Sequence, residues 1–350
     1  MKPKHLITLA LFCLFVGLPV GIFIKAVAQS SSSSPQADPA AVSDYRLSGP
    51  YTYKNLTVFL VHGKDLTSTT FLTLQEALAQ KKVRVYETKD VNELAIQNIS
   101  NQDVYVQSGD IVRGGEQDRM ISVDFIVPPK SKRMPIAAFC VESGRWNKRG
   151  NEPAAQFASS ANMIATKDLK LAAKREKSQQ AVWENVSLAQ EKLSKNVGGS
   201  VNNTMSASSL ELSVEDSKVK ETTAAYIDAL SGILQNKSDV IGYVFAINGE
   251  VNSADVYASR SMFAKLWPKL LKASAVEAVA ELKPDLELKP VADETVRTFL
   301  AESERATAAT KEVTPRVRMV TREDDKNIFF ETQDRQQKDG WVHRNYIRKQ

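Results

Sequence analysis

The sequence predicts an α+β fold, mostly antiparallel sheet in its N-terminal half, with helices plus further strands in its C-terminal half. Three observations carry this. Between residues 56 and 146, short runs alternate apolar and polar residues and are divided by turns rich in Gly, Pro and Asn, the period-2 pattern of half-buried strands. Over residues 166–197 the chain turns rich in Ala, Lys, Glu and Gln, and Leu169, Ala172, Ala173, Gln179, Val182, Trp183, Val186 and Leu193 form an imperfect helical stripe. Alternation then returns, first around Asn248-Gly249, the strongest short-range hairpin signal, and later in three closing runs.

From the start of the chain, Lys2 and Lys4 precede an apolar run over residues 6–24, and Ala26-Val27-Ala28 follows. This is the pattern of a secretory signal with a small-residue cleavage site. The run is long for a signal, so an uncleaved N-terminal anchor is the alternative, although Gly17, Pro19 and Gly21 interrupt it. Cys13 lacks the small preceding residue of a lipoprotein signal. Serines, prolines and alanines then give the composition of a flexible tether. The expected organisation is a signal peptide at residues 1–28, a linker at 29–50 and a single α+β domain at 51–350, strand-rich to residue 150 and helix-rich with closing strands beyond. Its expected location is exported, periplasmic or secreted, with membrane contact only if the first segment stays uncleaved.

Removing residues 1–28 takes away Lys2, Lys4 and Lys25 and no acid, so the formal charge falls from +5 to +2. That excess argues for neither nucleic acid nor an anionic membrane as partner. Cys140 is then the sole cysteine, no intramolecular disulfide is possible, and the fold must rest on its core. A chain of this length can bury one.

Within the domain, NLTVFLVHG at residues 55–63 begins as a strand. Its His62-Gly63 invites comparison with α/β-hydrolases, but no G-x-S-x-G nucleophile elbow follows, which leaves a strand end with a turn glycine. FLTLQEALAQKK reads as a short amphipathic helix with Leu74, Ala77 and Leu78 on one face. KVRVYET, NELAIQNIS and DVYVQSGDIV read as strands, with a tight turn at Asn101-Gln102. RMISVDFIVPP and MPIAAFCVESGRW add two more, Pro128-Pro129 ending the first. The character changes at Pro153. One helix over residues 166–197 is broken by the polar loop GGSVNNTMSASS, and a second covers about 214–234. The hairpin VIGYVFAINGEVNSADVYAS precedes MFAKLWPKLLKASAVEAVA, a helix in which Pro268 marks a kink or a new first turn. A helix near residues 293–308 leads to the closing strands PRVRMVTRED, NIFFETQD and WVHRNYI.

The densest polar stretch is GDIVRGGEQDR at residues 109–119. It has neither the G-x-G-x-x-G nor the P-loop spacing, and no helix follows to hold a phosphate, so a strand-to-strand turn is favoured over an anion cradle. If residues 119–127 form one strand, Arg119, Ile121, Val123 and Phe125 share a face opposite Ser122 and Asp124. On the next strand Ile136, Ala138, Cys140 and Glu142 are aligned, and a carboxylate beside Cys140 raises the thiol pKa, which favours an inert thiol over a nucleophile. His62 and His343 are the only histidines after the signal, without H-x-x-x-H or C-x-x-C, so no metal and no cofactor are expected. Two histidines suffice for a Ser-His-Asp triad, but nothing in the sequence points to its serine. What remains is a set of forked donors and acids with one tryptophan: Arg113, Glu116, Gln117, Asp118, Arg119, Glu142, Arg145 and Trp146.

The segments carrying GGEQDR, CVESGRW and SQQAVWENV, together with the hairpin and GWVHRNYI, keep an order and spacing that resembles a bacterial domain family. That family is named for its association with ADP-ribosylglycohydrolases and rhodanese-phosphatase proteins, and the likeness covers about residues 55–347. The resemblance implies an α+β domain and, through the association in the name, a link to ADP-ribosyl metabolism. It implies that Gln117, Arg119, Glu142, Arg145, Trp146, Gln179, Trp183 and His343 are the distinctive polar positions, with no catalytic role attached to them.

Three functional readings follow. The first is a binding module for an anionic or ribosyl, ADP-ribose-like ligand, held by Gln117, Arg119, Arg145, Trp146, Gln179, Trp183 and His343. The second is a hydrolase of glycosidic or phosphoester bonds, with Glu142 and either Asp118 or Asp124 as paired carboxylates. The third is an envelope scaffold whose charged helical face over residues 167–195 binds another protein. Against all three stands a plain ion-pair network pinning strand ends.

Overall fold

A computed structural model describes residues 45–150, 152, 157–337 and 340–349. The expected signal segment and residues 29–44 of the expected linker lie outside the described residues.

Two strands open the domain, β1 (Arg46–Tyr53) and β2 (Leu56–His62), followed by β3 (Leu72–Thr73) and α1 (Leu74–Ala79). Thr73 and Glu76 close a capping box at the start of α1, each side chain bonding the other's backbone N–H. Next come β4 (Val83–Asp90), β5 (Glu93–Asn98), β6 (Val104–Val106), β7 (Asp110–Gly114), β8 (Arg119–Ile121), β9 (Phe125–Val127), β10 (Met134–Cys140) and β11 (Phe157–Ile164). The helical part comprises α2 (Lys167–Leu171), a π-helical turn (Ala172–Glu176), α3 (Gln179–Asn196), α4 (Leu210–Val214) and α5 (Ser217–Leu230), which runs on as a 3₁₀ turn (Ser231–Leu234). The chain ends with β12 (Val240–Ile247), β13 (Glu250–Tyr257), α6 (Arg260–Ala280), α7 (Asp293–Arg305), β14 (Thr307–Glu312), β15 (Val317–Glu323), β16 (Asn327–Asp334) and β17 (Trp341–Arg348).

These strands form three sheets: eight-stranded in the order β1-β2-β12-β13-β17-β16-β15-β14, six-stranded in the order β11-β7-β8-β10-β5-β4, and a small β3-β6-β9 sheet. All paired strands are antiparallel except β3 and β6. The α+β class expected from the sequence is therefore the class observed. The large sheet is covered on both faces. Tyr243 and Phe245 pack with Phe263 and Trp267 of α6, while Val244 and Ala246 join Val296, Phe299 and Leu300 of α7. That is why every residue of β12 is buried and why its sequence runs apolar without alternation. Asn248 and Gly249 both have positive φ, 56° and 83°, the type I′ geometry that joins β12 to β13.

Four expectations need correction. Residues 46–50 are not linker: they belong to β1, residues 46–48 pair with β2, and Leu47 enters the core while Gly49-Pro50 masks the alternation. The strand read over residues 119–127 is two strands in different sheets, because Asp124 between them turns inward, accepting a 2.6 Å bond from Ser108 N. The helix read over residues 166–197 is interrupted, since Lys177 is left-handed and Ser178 caps a fresh helix by accepting from Ala181 N. The last helix stops at Arg305, and residues 307–312 form the exposed edge strand β14.

Candidate functional site

The Gly114-Gly115 turn between β7 and β8 is the hub of a buried ion network. Gly115 has φ +56°, and a Cβ there would stand 2.4 Å from the Phe157 ring, so only glycine fits. Arg145, on the loop after β10, donates to the carbonyls of Gly114 (3.4 Å), Gly115 (3.2 Å) and Asn147 (2.6 Å), and pairs with Glu142 Oε2 at 2.6 Å. Asp118 accepts from Gly114 N and forks onto Arg149 at 3.0 and 3.3 Å, while its own N–H donates to Glu142 Oε2. Arg149 continues to Ser209 and Glu152, and Arg113 joins Glu152 to Glu215. The network thus ties the six-stranded sheet to the helical part of the chain.

Burial pushes the Asp118 carboxyl up to about 6, with the Glu142 charge adding and Arg149 opposing. Glu142 goes the other way: burial is outweighed by its hydrogen bonds from Arg145, Ser206 and Asp118 N, and it titrates below the usual carboxylate range. The two acids named for hydrolysis therefore meet. Yet they are 1% and 0% exposed, and neither lines any of five cavities of 380 to 690 Å³ among the described residues.

Arg119 is equally committed. Its guanidinium bonds the carbonyls of Asp90 and Val91 at 3.0 and 2.9 Å and Glu87 at 3.1 Å, pinning β8 to the β4–β5 turn. Gln117 is fully buried, and its amide makes no hydrogen bond. Gln179, the first residue of α3, bonds both backbone groups of Cys140 at 2.8 Å, acting as a one-residue neighbouring strand for the end of β10. Burial drives the Cys140 thiol up to about 11, in keeping with the inert reading. Trp146 lies on the surface at 52% exposure, and the indole N–H of Trp183 is buried without a partner.

A second cluster lies where the small sheet meets the large one. His343 on β17 bonds Asp124 through Nδ1 at 2.7 Å and Asp255 of β13 through Nε2 at 3.0 Å, and stacks on Tyr257 with ring centroids 4.5 Å apart. Thr332 and Ser108 N complete the shell of Asp124, and Asn345 donates to Asp255. Although burial opposes it, the two carboxylates raise the His343 pKa, and both acids titrate low. Lys170 approaches Asp255 at 4.0 Å.

Lys174, on the π-helical turn, is different. It is 4% exposed, its ammonium makes no hydrogen bond, and it stands over the Phe330 ring, 4.1 Å from the centroid. Burial lowers its pKa, Asp124 opposing in part. The same residue lines a cavity of about 380 Å³ between the π-helical turn, the six-stranded sheet and the β14–β15 hairpin. Its walls include Val123, Phe125, Ile136, Phe139 and Met319, and the exposed Lys177, Lys311 and Glu312 line it as well. π-Helical turns cluster at functional sites in proteins generally.

This pairing of a glycine-centred ion network with a strand-end histidine uses the sequence elements GGEQDR, CVESGRW and WVHRNYI. The sequence model of one domain family, the ARG and Rhodanese-Phosphatase-superfamily-associated Protein domain (ARPP-1), matches residues 44–347. The chain belongs to the ARPP-1 family. No curated protein and no solved structure gives a significant match to it.

In this ARPP-1 domain Gln117, Arg119, Arg145 and Gln179 converge around the ends of β8 and β10. His343 belongs instead to the second cluster and meets Asp124, which the sequence reading grouped with Glu142. Trp146 joins neither cluster. Among the described residues no group of three or more His, Cys, Asp or Glu side chains is placed to hold a metal ion. Sequence reasoning missed Lys174, Asp255, Glu87 and Arg149. Lys174 had a faint signal, since Lys170 and Lys174 are four apart on the stripe side of an amphipathic run, where lysine is out of place. Asp255 sits in an alternating strand and carries no local mark.

Proposed function

We propose that this ARPP-1 domain is a binding module for a small anionic ligand, and that the ligand occupies the cavity over Lys174 rather than the Arg119 and Arg145 cluster. The observation that carries this reading is Lys174, whose buried ammonium makes no hydrogen bond and whose side chain lines a cavity with Lys177, Lys311 and Glu312 among its other lining residues. A buried cation without a partner is costly, and an anion entering the cavity would recover part of that cost. The guanidinium groups of Arg119 and Arg145 are less suited to that role, since their terminal nitrogens are already held by carboxylates and carbonyls of the chain itself. The apolar walls favour an anion with an apolar body. The volume lies at the small end of ligand sites and holds roughly a dozen waters, which favours a compact ligand over a whole dinucleotide. Export remains part of the proposal, so the ligand would be met outside the cytosolic NAD pool.

Thermal unfolding of the protein with octanoate, octanol, ribose 5-phosphate and ADP-ribose tests this. A ligand at about 100 times its Kd adds roughly 2.7 kcal/mol of stability. Stabilisation by octanoate or ribose 5-phosphate that vanishes in Lys174→Met is the expected result. Equal stabilisation of the variant, or a response to neutral octanol alone, would refute an anion site at Lys174.

A further inference from the structure

His62, at the end of β2, lies between two groups that no role above uses. Its Nε2 is 2.7 Å from Ser48 Oγ and its Nδ1 is 2.7 Å from Asp239 Oδ1. The three residues come from β1, β2 and the residue before β12, with 14 and 177 positions between the bonded pairs. From this geometry we infer that Ser48, His62 and Asp239 form a nucleophile, base and orienting acid for acyl transfer from small carboxylic esters.

The order of roles is the required one. A carboxylate on Nδ1 fixes the proton there, and the free Nε2 lone pair then accepts the serine proton. Arg46 Nη2 also stands 2.9 Å from Nδ1, but a guanidinium only donates, and its 2.5 Å contact with Asp239 Oδ2 is the shorter. We therefore assign Arg46 to the carboxylate and the Nδ1 proton to the bond with Asp239. The pairing of β1 with β2 slips between Ser48 and Tyr51, a bulge directly after the serine, and bulges re-aim neighbouring side chains. Ser48 is half-buried and His62 enclosed, while the Asp239 side chain is about half exposed, so solvent reaches both ends of the relay. The Tyr51 hydroxyl, 3.4 Å from Ser48 Oγ, is a donor beside the place where a carbonyl oxygen would gain charge. His62, Arg46 and Asp239 help to line a cavity of about 690 Å³ walled also by Tyr45, Leu66 and Trp341; Ser48 is not in its wall, so the ester would reach the hydroxyl from beside this cavity.

In the first step Ser48 Oγ bonds the ester carbonyl carbon as its proton passes to His62 Nε2. The carbon–oxygen bond to the alcohol then breaks, the alcohol leaves with that proton, and the acyl group stays on Ser48. Water repeats the sequence: it attacks the acyl carbon, gives one proton to Nε2, and that proton returns to Ser48 Oγ as the carboxylic acid departs. Ester and water become acid and alcohol with no other reactant.

The full chain should be treated with p-nitrophenyl acetate and, separately, with a fluorophosphonate probe. The expected results are release of p-nitrophenolate in a burst matching the protein concentration and a single adduct that peptide mass analysis places on Ser48. Ser48→Ala should abolish both, and His62→Gln should slow acylation at least about 100-fold. Should the enclosed His62 position not tolerate exchange, Asp239→Asn, at a half-exposed side chain, supplies the test and should slow acylation at least about tenfold. An adduct elsewhere, no adduct on folded protein, or a Ser48 labelling rate unchanged in Asp239→Asn would overturn the inference. None of these outcomes depends on anion binding at Lys174.

Discussion

Replacing Lys174 by Met should make the protein more stable while removing its anion response. The two carboxylates of the second cluster, Asp124 and Asp255, are already partnered by His343, whose pKa they raise, and by Lys170. Lys174 is therefore the surplus cation, buried at 4% exposure over the Phe330 ring. The effective penalty for burying one such ion is several kcal/mol, of which a desolvated cation–π contact returns about 2 kcal/mol and attraction to the carboxylates a further part. A similarly shaped thioether carries no such penalty, so the variant should gain about 1 to 3 kcal/mol. At about 2 °C per kcal/mol for a domain of this size, the midpoint should rise by roughly 2 to 6 °C in a calorimetric scan at pH 7. Lys174 titrates below its unfolded value, so the unfolded state binds the extra proton between those two pKa values, and wild-type stability gains as pH rises toward about 10.4. Lys174→Met should lack that gain. A midpoint lowered by several degrees would refute the reasoning, for it would make Lys174 a required counter-charge of Asp124.

Three further outcomes follow from the same accounting. His343→Asn removes the ring that bonds both buried carboxylates, leaving Asp124 without its ion-pair partner, and should cost about 3 to 5 kcal/mol in urea melts at pH 6. Because the His343 pKa is raised on folding, its contribution is complete below about 6.5 and is lost as pH rises through the folded value, so the variant's deficit should shrink in melts at pH 9. Arg145→Ala should cost a similar 3 to 5 kcal/mol, since it strands Glu142 and the carbonyls of the glycine turn, and adding Glu142→Gln should recover part of the loss in a double-mutant cycle. The Cys140 thiol, buried and pushed up to about 11, should stay unreactive toward Ellman's reagent at pH 8 until denaturant is added.

Much of the fold was legible because the signals were local. Asn248-Gly249 specifies its hairpin by backbone conformation alone, and the closing strands alternate within themselves. β1 escaped notice because Gly49-Pro50 breaks its pattern, and β11 because residues 157–164 are small and polar with little alternation. The ion network was half legible. GGEQDR and CVESGRW do come together, but whether an arginine faces a ligand or a carbonyl is decided by loop geometry that no spacing encodes. Asp124 was misassigned for a related reason: an unbroken apolar alternation around it concealed that the chain leaves one sheet for another there. The Ser48–His62–Asp239 relay was illegible, since its members have no common motif and 177 residues separate the histidine from the acid.

The large sheet draws its neighbours from opposite ends of the chain: Leu60 of β2 lies against Tyr243 of β12, and β13 against β17 at the C-terminus. At ribosomal speeds of about 5 to 20 residues per second, β2 waits roughly 10 to 40 s for the strand that completes it. For that interval it can offer a hydrogen-bonding edge to any passing chain. Pairings of such long range are slow to close even after synthesis ends. The N-terminal half is therefore a dependent part of the domain, and a fragment ending before residue 240 should need a chaperone, or a complementing C-terminal fragment, to stay in solution.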